Sequence, residues 1–313
     1  MRRGRRLFMS PVALGVGLLA VSSLLVGCIP RPSPTAAVLD AACNGTLVAS
    51  TPGTVAATDV TELSGLSASR RTAGVWWAHN DSGHPAEIFA VGDDGRDLGT
   101  YTLSGANAVD WEDIAAGPGP DAGASYLYIA DTGDNTQTRA SVQVYRVPEP
   151  QVDPNGGPHQ GMLTDVATLD FTYPDGPHDA EALIVDPSSG RLLIITKDVW
   201  GDSQVFAAPG NLASGTHTTL TQVATLHLGF LGLVTAGDIT PARDTIALRT
   251  YGSVVMYPLG VGDAMELAFL QVPCYGAVAN EAQGEAIGFT GDGRGYVTAS
   301  EGASPALHRF VAP

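Results

Sequence analysis

EALIVDPSSGRLLIITKDVWGDSQVFAAPG, Glu181 to Gly210, decides the architecture. An acidic residue, a small one and two branched aliphatics open it. The turn DPSSGR follows, then the run LLIITKD, then a third apolar run, SQVFAAPG. Branched residues in short runs between Gly- and Pro-bearing turns read as antiparallel strands. A fourth run, TQVATLHLG, comes after them.

The unit recurs. Ser64-Gly65-Leu66-Ser67, Glu112-Asp113-Ile114-Ala115, Gly237-Asp238-Ile239-Thr240 and Glu285-Ala286-Ile287-Gly288 share its opening: a small or acidic residue, a variable one, then Leu or Ile. Each meets a turn (SRRTAG, AGPGPDAGAS, TPARD, TGDGRG), then a second strand (VWWAHND, YLYIADTGDN, IALRTYG, GYVTASEG). Third runs are EIFAVG, VQVYRVPEP, VVMYPLG and ALHRFVAP. Fourth runs are DLGTYTL, TDVATLDFTY and MELAFLQV. The last unit stops before a fourth run, and GTLVAS (Gly45 to Ser50) is the natural donor of that strand, closing a ring. A four-strand unit of about 50 residues repeated in phase predicts an all-β fold, a β-propeller with four-stranded blades. The repeat count is five; 69 residues separate Glu112 from Glu181, which leaves room for a sixth blade.

Residues 1–27 stand apart. Arg2, Arg3, Arg5 and Arg6 precede an apolar core, Pro11 to Val26, ending in Leu25-Val26-Gly27-Cys28. That is an export signal, too short and wrongly flanked for a spanning helix. LVGC resembles a bacterial lipobox, which implies cleavage before Cys28 and a diacyl anchor at the outer face of the membrane; a plain signal peptide or an uncleaved anchor is the alternative. RRLFM, Arg5 to Met9, also fits the twin-arginine route. Residues 28–42, Pro- and Ala-rich, read as lipidated Cys and tether, and 43–313 as the propeller.

The chain has 16 basic and 32 acidic residues; losing residues 1–27 removes four arginines and no acid, leaving 12 against 32, or −20. Such a field attracts cations and excludes nucleic acid and anionic lipid as partners. Lys197 is the only lysine, which with the Ala and Gly load suggests a GC-rich, actinobacterial genome. With Cys28 lipidated, Cys43 and Cys274 remain as a pair, expected to form a disulfide in an oxidising compartment; two free thiols are the alternative.

The first strand of a propeller blade lines the channel, so Glu112, Glu181 and Glu285 converge, with Ser64 and Gly237 in the other blades and Asp238 one residue out of phase. Crowded carboxylates are costly unless protonated, solvated or bridged by cations. The ends of the second strands add Asp81, Asp131, Asp134, Asn135, Asp198 and Glu301 near one mouth, with Asp113 and Arg249 close by. An oxygen-rich set of this kind suits Ca2+. The expected metal residues are Glu112, Asp131, Asp134, Asn135, Glu181, Asp238 and Glu285; the expected ligand mouth is Asp81, Asp113, Glu301 and Arg249. The competing reading is that these acids cap turns or bond one blade to the next. Trp76, Trp77 and Trp111 either stack a ligand there or pack between blades. His79 and His84 flank Asp81, a weak transition-metal pattern.

SGL, then EDI, EAL and EAI at successive blades, with acids ending the next strand, resemble the phytase-like, esterase-like propellers of exported bacterial proteins and the SGL/EGL-repeat propellers. The resemblance spans most of 60–313. It implies six blades and Ca2+ in or near the channel. Propeller phytases also gather several Lys and Arg around calcium, whereas this chain has Lys197, Arg139, Arg146 and Arg249 near its acidic runs.

Two functions follow as expectations. One is a non-catalytic, monomeric surface lipoprotein binding a divalent cation and a small ligand or envelope partner. The other is a calcium-dependent hydrolase of phosphoesters or esters.

Overall fold

The computed structural model describes Met1 and residues 37–313. The export signal (save Met1), Cys28 and the tether up to residue 36 lie outside the described residues. A short helix, α1 (Ala37–Asn44), precedes β1 (Val48–Thr54). The first blade is β2 (Leu63–Ala68), β3 (Val75–Asn80), β4 (Glu87–Gly92) and β5 (Asp97–Leu103). The second begins with β6 (Trp111–Pro118), β7 (Ser125–Asp131) and β8 (Val142–Pro148). Next, β9 (His159–Leu163) crosses back to pair parallel with β5, and β10 (Ala167–Thr172) returns to complete the second blade. The third is β11 (Ala180–Val185), β12 (Leu192–Thr196) and β13 (Gln204–Ala208). After it β14 (His217–Thr219) pairs parallel with β10, and β15 (Thr221–Thr225) finishes the third sheet. The fourth is β16 (Val234–Ile239), β17 (Thr245–Thr250), β18 (Val254–Pro258) and β19 (Cys274–Gly276). The fifth is β20 (Gly284–Phe289), β21 (Gly295–Ser300) and β22 (Ala306–Val311), with β1 antiparallel to β22 at its outer edge, Val48 opposite Val311.

There are five blades, and the long interval between the second and third units is occupied by β9 and its flanking loops rather than a sixth sheet. Each first strand packs against the first strands of both neighbours, β2 on β6 and on through β11, β16 and β20 back to β2. The strands form where the sequence reads as strand because branched residues fill the space between adjacent sheets. Between blades two and three, Tyr128, Leu183, Ile194 and Phe206 share one core cluster; between five and one, Val297, Leu307, Trp76 and Phe89 share another.

Two expectations are corrected. MELAFLQV is not the fourth strand of blade four. Residues Met265–Leu270 form a 3-10 helix, burying Met265 and Ala268 at the three-residue spacing such a turn requires, with Phe269 edge-on to Tyr257 at 5.2 Å. The edge strand is β19 instead. The expected tether also runs into the folded body: Val38, Leu39, Ala41 and Ala42 of α1 are buried, against β18 and β19. The helix forms here because VLDAA carries an apolar helical face. Cys43, at the end of α1, is bonded to Cys274 at the start of β19, with Cα atoms 5.0 Å apart.

Candidate functional site

All five first strands carry a register irregularity at one place. Pairing with the second strand skips one residue: between Leu63 and Gly65, Trp111 and Asp113, Ala180 and Ala182, Val234 and Ala236, and Gly284 and Ala286. A β-bulge leaves its extra residue unpaired and re-aims the side chain. The skipped residues are Ser64, Glu112, Glu181, Thr235 and Glu285. Glu112, Glu181 and Glu285 thus share a structural position, as their recurrence implied. Blade four is corrected: its equivalent is Thr235, not Gly237. Asp238 lies three residues farther along the strand, roughly 10 Å away.

Opposite the residue before each bulge stand Asn80, Asp131, Thr196, Thr250 and Ser300. The next residues in the chain, Asp81, Thr132, Lys197, Tyr251 and Glu301, therefore sit at the same end of the channel. Two residues before the bulges come Glu62, Asp110, Asp179 and Gln283. Strand periodicity puts them on the same face as the bulged residues.

Carboxylate oxygens of Asp81, Asp110 and Glu112 lie within 4.8 Å of one another, as do those of Glu112, Asp179 and Glu181. Glu112 belongs to both groups. Its side chain is almost wholly buried, and among the described residues no hydrogen-bond donor reaches its carboxylate. Burial, then the charges of Glu181, Asp81, Asp110 and Asp179, push its pKa well above the usual value. Burial with Asp81 and Asp179 raises Asp110 to about 6. Burial likewise raises Asp81, Asp179, Glu285 and Glu301. Gly133 lets the ADTGDN loop pass over this group, since a Cβ there would collide with the Glu112 carboxylate and Asp110.

Lys197 answers one of these acids directly. Lys197 Nζ pairs with Glu181 Oε1 and lies 5.1 Å from the Tyr251 ring centroid. Burial alone would lower the Lys197 pKa; the Glu181 carboxylate outweighs it and holds the ammonium above its ordinary value. Glu285 is occupied differently, accepting from Gln283 Nε2 at 2.9 Å and Ser64 Oγ at 3.4 Å.

Several expected site residues serve the fold instead. Asp131 pairs with Arg139 at 2.9 Å and accepts the Asp110 N–H. Asp134 accepts the Arg139 N–H at 2.7 Å, and its own N–H donates to Asp179. Asn135 is exposed beyond them. Arg249 is buried against Glu281 at 2.7 Å rather than offered at the mouth. Asp113 is wholly buried: its Oδ1 accepts the Ile114 N–H, and its Oδ2 accepts those of Leu183 and Gly237 at 2.9 and 3.1 Å. That one carboxyl ties the first strands of blades two, three and four. Asp238 clamps blade four to five, accepting Ile239 N–H at 2.8 Å and Phe289 N–H at 2.7 Å. The interblade reading of acidic residues therefore holds for both. Trp76, Trp77 and Trp111 are buried between blades, and His79 is buried edge-on to Trp111, apart from His84, which bonds Thr61.

Burial raises the Asp238 pKa to about 6. The folded protein holds this proton more tightly than the unfolded chain does. The stability it contributes is therefore full below about pH 4 and lost as pH climbs through 6. Relative to Asp238→Asn, wild type should lose about 2 kcal/mol between pH 4 and 7, the figure allowing for partial contact with water. Urea unfolding of both proteins at the two pH values measures it; a constant difference would contradict the assignment.

Asp110, Asp179 and Lys197 are the site residues that motif reading passed over. Their signal was the two-residue spacing before Glu112 and Glu181, and the position after the second strand. An exposed aromatic pair was also missed. Trp200 and Phe230, their ring centroids 5.6 Å apart and tilted by 41°, sit on the loops after β12 and before β16, at the Lys197 end.

Neither a protein-family model nor a curated protein matches this chain. Among solved structures, a glucose dehydrogenase overlaps at TM-score 0.48 and 10% identity, over 84% of this chain and 99% of its own. A luciferin-regenerating enzyme overlaps at 0.45 and 7%, over 85% and 95%. The Kuenenia stuttgartiensis hydrazine synthase overlaps at 0.39 and 10%, over 76% and 80%. These likenesses are too distant for any activity to be carried across.

Proposed function

We propose that this chain is an exported lipoprotein, held at the outer face of the cell membrane through Cys28, whose acidic channel mouth binds a divalent cation and, beside it, a polar ligand or envelope partner. The observation that carries this reading is Glu112: a buried carboxylate without a hydrogen-bond donor among the described residues, flanked by Asp110, Asp81, Asp179 and Glu181. A buried charge of that kind is costly unless neutralised by a proton or a cation. The donors are all oxygen, which favours Ca2+ over softer metals. Asp81, Asp110 and Glu112 are the principal ligands. Asp179 adds to them, while Glu181 is shared with Lys197.

Hydrolysis is the weaker reading. A phosphoesterase needs cations to hold its substrate, and the nearby basic groups are engaged: Arg139 by Asp131, Arg249 by Glu281, Lys197 by Glu181. The cation therefore serves structure and recognition rather than bond cleavage.

Saturating Ca2+ should raise the melting temperature of the purified protein by about 5 °C over an EDTA-treated sample. Glu112→Gln removes a repelled charge while keeping shape. It should melt higher than wild type in EDTA yet gain nothing from Ca2+. A calcium-independent melting curve for wild type, or a Ca2+ response retained by Glu112→Gln, would remove the basis of the proposal. Turnover of p-nitrophenyl phosphate that appears with Ca2+ and vanishes in Glu112→Gln would favour the hydrolase instead.

A further inference from the structure

The far ends of the first strands frame a second site. There Ala116 of β6, Asp238 and Ile239 of β16 and Phe289 of β20 line a cavity of ≈ 400 Å3, closed on one side by the β2–β3 hairpin carrying Arg70. An adjoining hollow of ≈ 330 Å3 shares Ala68, Ser69, Ala73 and Gly291 with it. The larger volume lies within the range of small-molecule sites, about 300–1,000 Å3.

Arg70 is the unusual member. Its hairpin is pinned, because Glu149 Oε1 accepts the Arg70 N–H at 3.2 Å and the Ser69 hydroxyl. Its guanidinium, by contrast, has no hydrogen bond or ion pair among the described residues. Among other arginines at this end, Arg71 donates to Glu149 O, Arg191 pairs with Glu266, Arg243 with Asp186, and Arg309 with Asp93, while Arg146 is buried 5.8 Å over the Tyr126 ring. Carboxylates that act on Arg70 from a distance are satisfied elsewhere. Asp238 holds two backbone N–H groups, Asp186 holds Arg243 and Ser188, and Glu149 holds Ser69 and Trp77. Burial lowers the Arg70 pKa despite the pull of those charges. Arg70 is an exposed residue whose guanidinium, unpaired among the described residues, lines a cavity that Ile239, Pro241 and Phe289 also line.

We propose that this cavity is a binding site for a small organic carboxylate, its carboxylate received by Arg70 and its apolar part lying against Phe289, Ile239 and Pro241. The planar two-oxygen head matches the guanidinium fork. A multiply charged phosphate is disfavoured, since one arginine would answer it beside the Asp238 carboxyl. The site lies at the opposite end of the channel from the acidic mouth and does not depend on cation binding there.

Calorimetric titration of the full chain with benzoate, benzamide and inorganic phosphate tests this. Benzoate should bind saturably, with benzamide and phosphate at least about tenfold weaker. Arg70→Gln should weaken benzoate by at least about tenfold, as should Ala73→Phe, which narrows the entrance while keeping the arginine. Melting curves check that each variant is folded, and either folded variant suffices for the comparison. Absence of benzoate binding to wild type, phosphate binding as tight as benzoate, or an undiminished affinity in a folded variant would overturn the proposal.

Discussion

Asp113→Ala is expected to remove about 5 kcal/mol of stability, a large share of the about 5–15 kcal/mol that holds a domain together. The substitution orphans three buried N–H groups at once, those of Ile114, Leu183 and Gly237, on three different blades. Each lost partner costs about 1–3 kcal/mol because water cannot replace it. Asp113→Asn should fall between, since its amide keeps one acceptor and turns an N–H2 group towards the other donors. Urea unfolding gives both values. An Asp113→Ala protein within 1 kcal/mol of wild type, on the scale of single buried hydrogen bonds, would mean the three blades are held by packing alone.

Breaking the disulfide should have a comparable effect by another route. Cys43 and Cys274 are 231 residues apart, so their bond constrains nearly the whole unfolded chain. The chain-entropy account puts a loop of that size at about 5 kcal/mol. Cys43→Ser should lower the unfolding midpoint strongly, and hydrogen exchange should show α1 and β19 opening first. These are the two elements the bond joins, and β19 has only three residues. Unchanged melting in Cys43→Ser would show that Val38, Leu39 and Ala42 of α1 hold the helix through burial alone.

Much of the fold was legible because its determinants are local. LLIITKD and its counterparts alternate with turns such as DPSSGR, where Gly190 adopts φ 67° and Asp186 bonds the Ser188 N–H. A chain that repeats such a unit five times buries its faces by stacking sheet on sheet. The pairing of Cys43 with Cys274 was legible from the count of three cysteines, one of them in the N-terminal segment. The shared position of Glu112, Glu181 and Glu285 was legible because repeated motifs occupy equivalent places.

Blade four shows where local pattern misleads. Gly237-Asp238-Ile239 looks like Glu112-Asp113-Ile114, yet Thr235 is the bulged residue. Both frames place an aliphatic residue after an acidic one, and only cross-strand register separates them. MELAFLQV fails for a related reason: its apolar residues satisfy either a strand or a 3-10 turn, and contact with Tyr257 decides for the turn.

Sequence alone therefore specifies most strands and turns, the repeated blade unit and the pool of acids, because turn chemistry and side-chain branching act within a few residues, while tertiary pairing fixes the blade number at five. Tertiary structure assigns the roles within that pool. Asp113 and Asp238 bond blades together, Asp131 and Asp134 engage Arg139, and Asp81, Asp110 and Glu112 are left facing one another. A carboxylate's chemistry depends on which donors and charges lie within a few ångströms, and those come from strands as much as 124 residues apart, as Asp113 and Gly237 are.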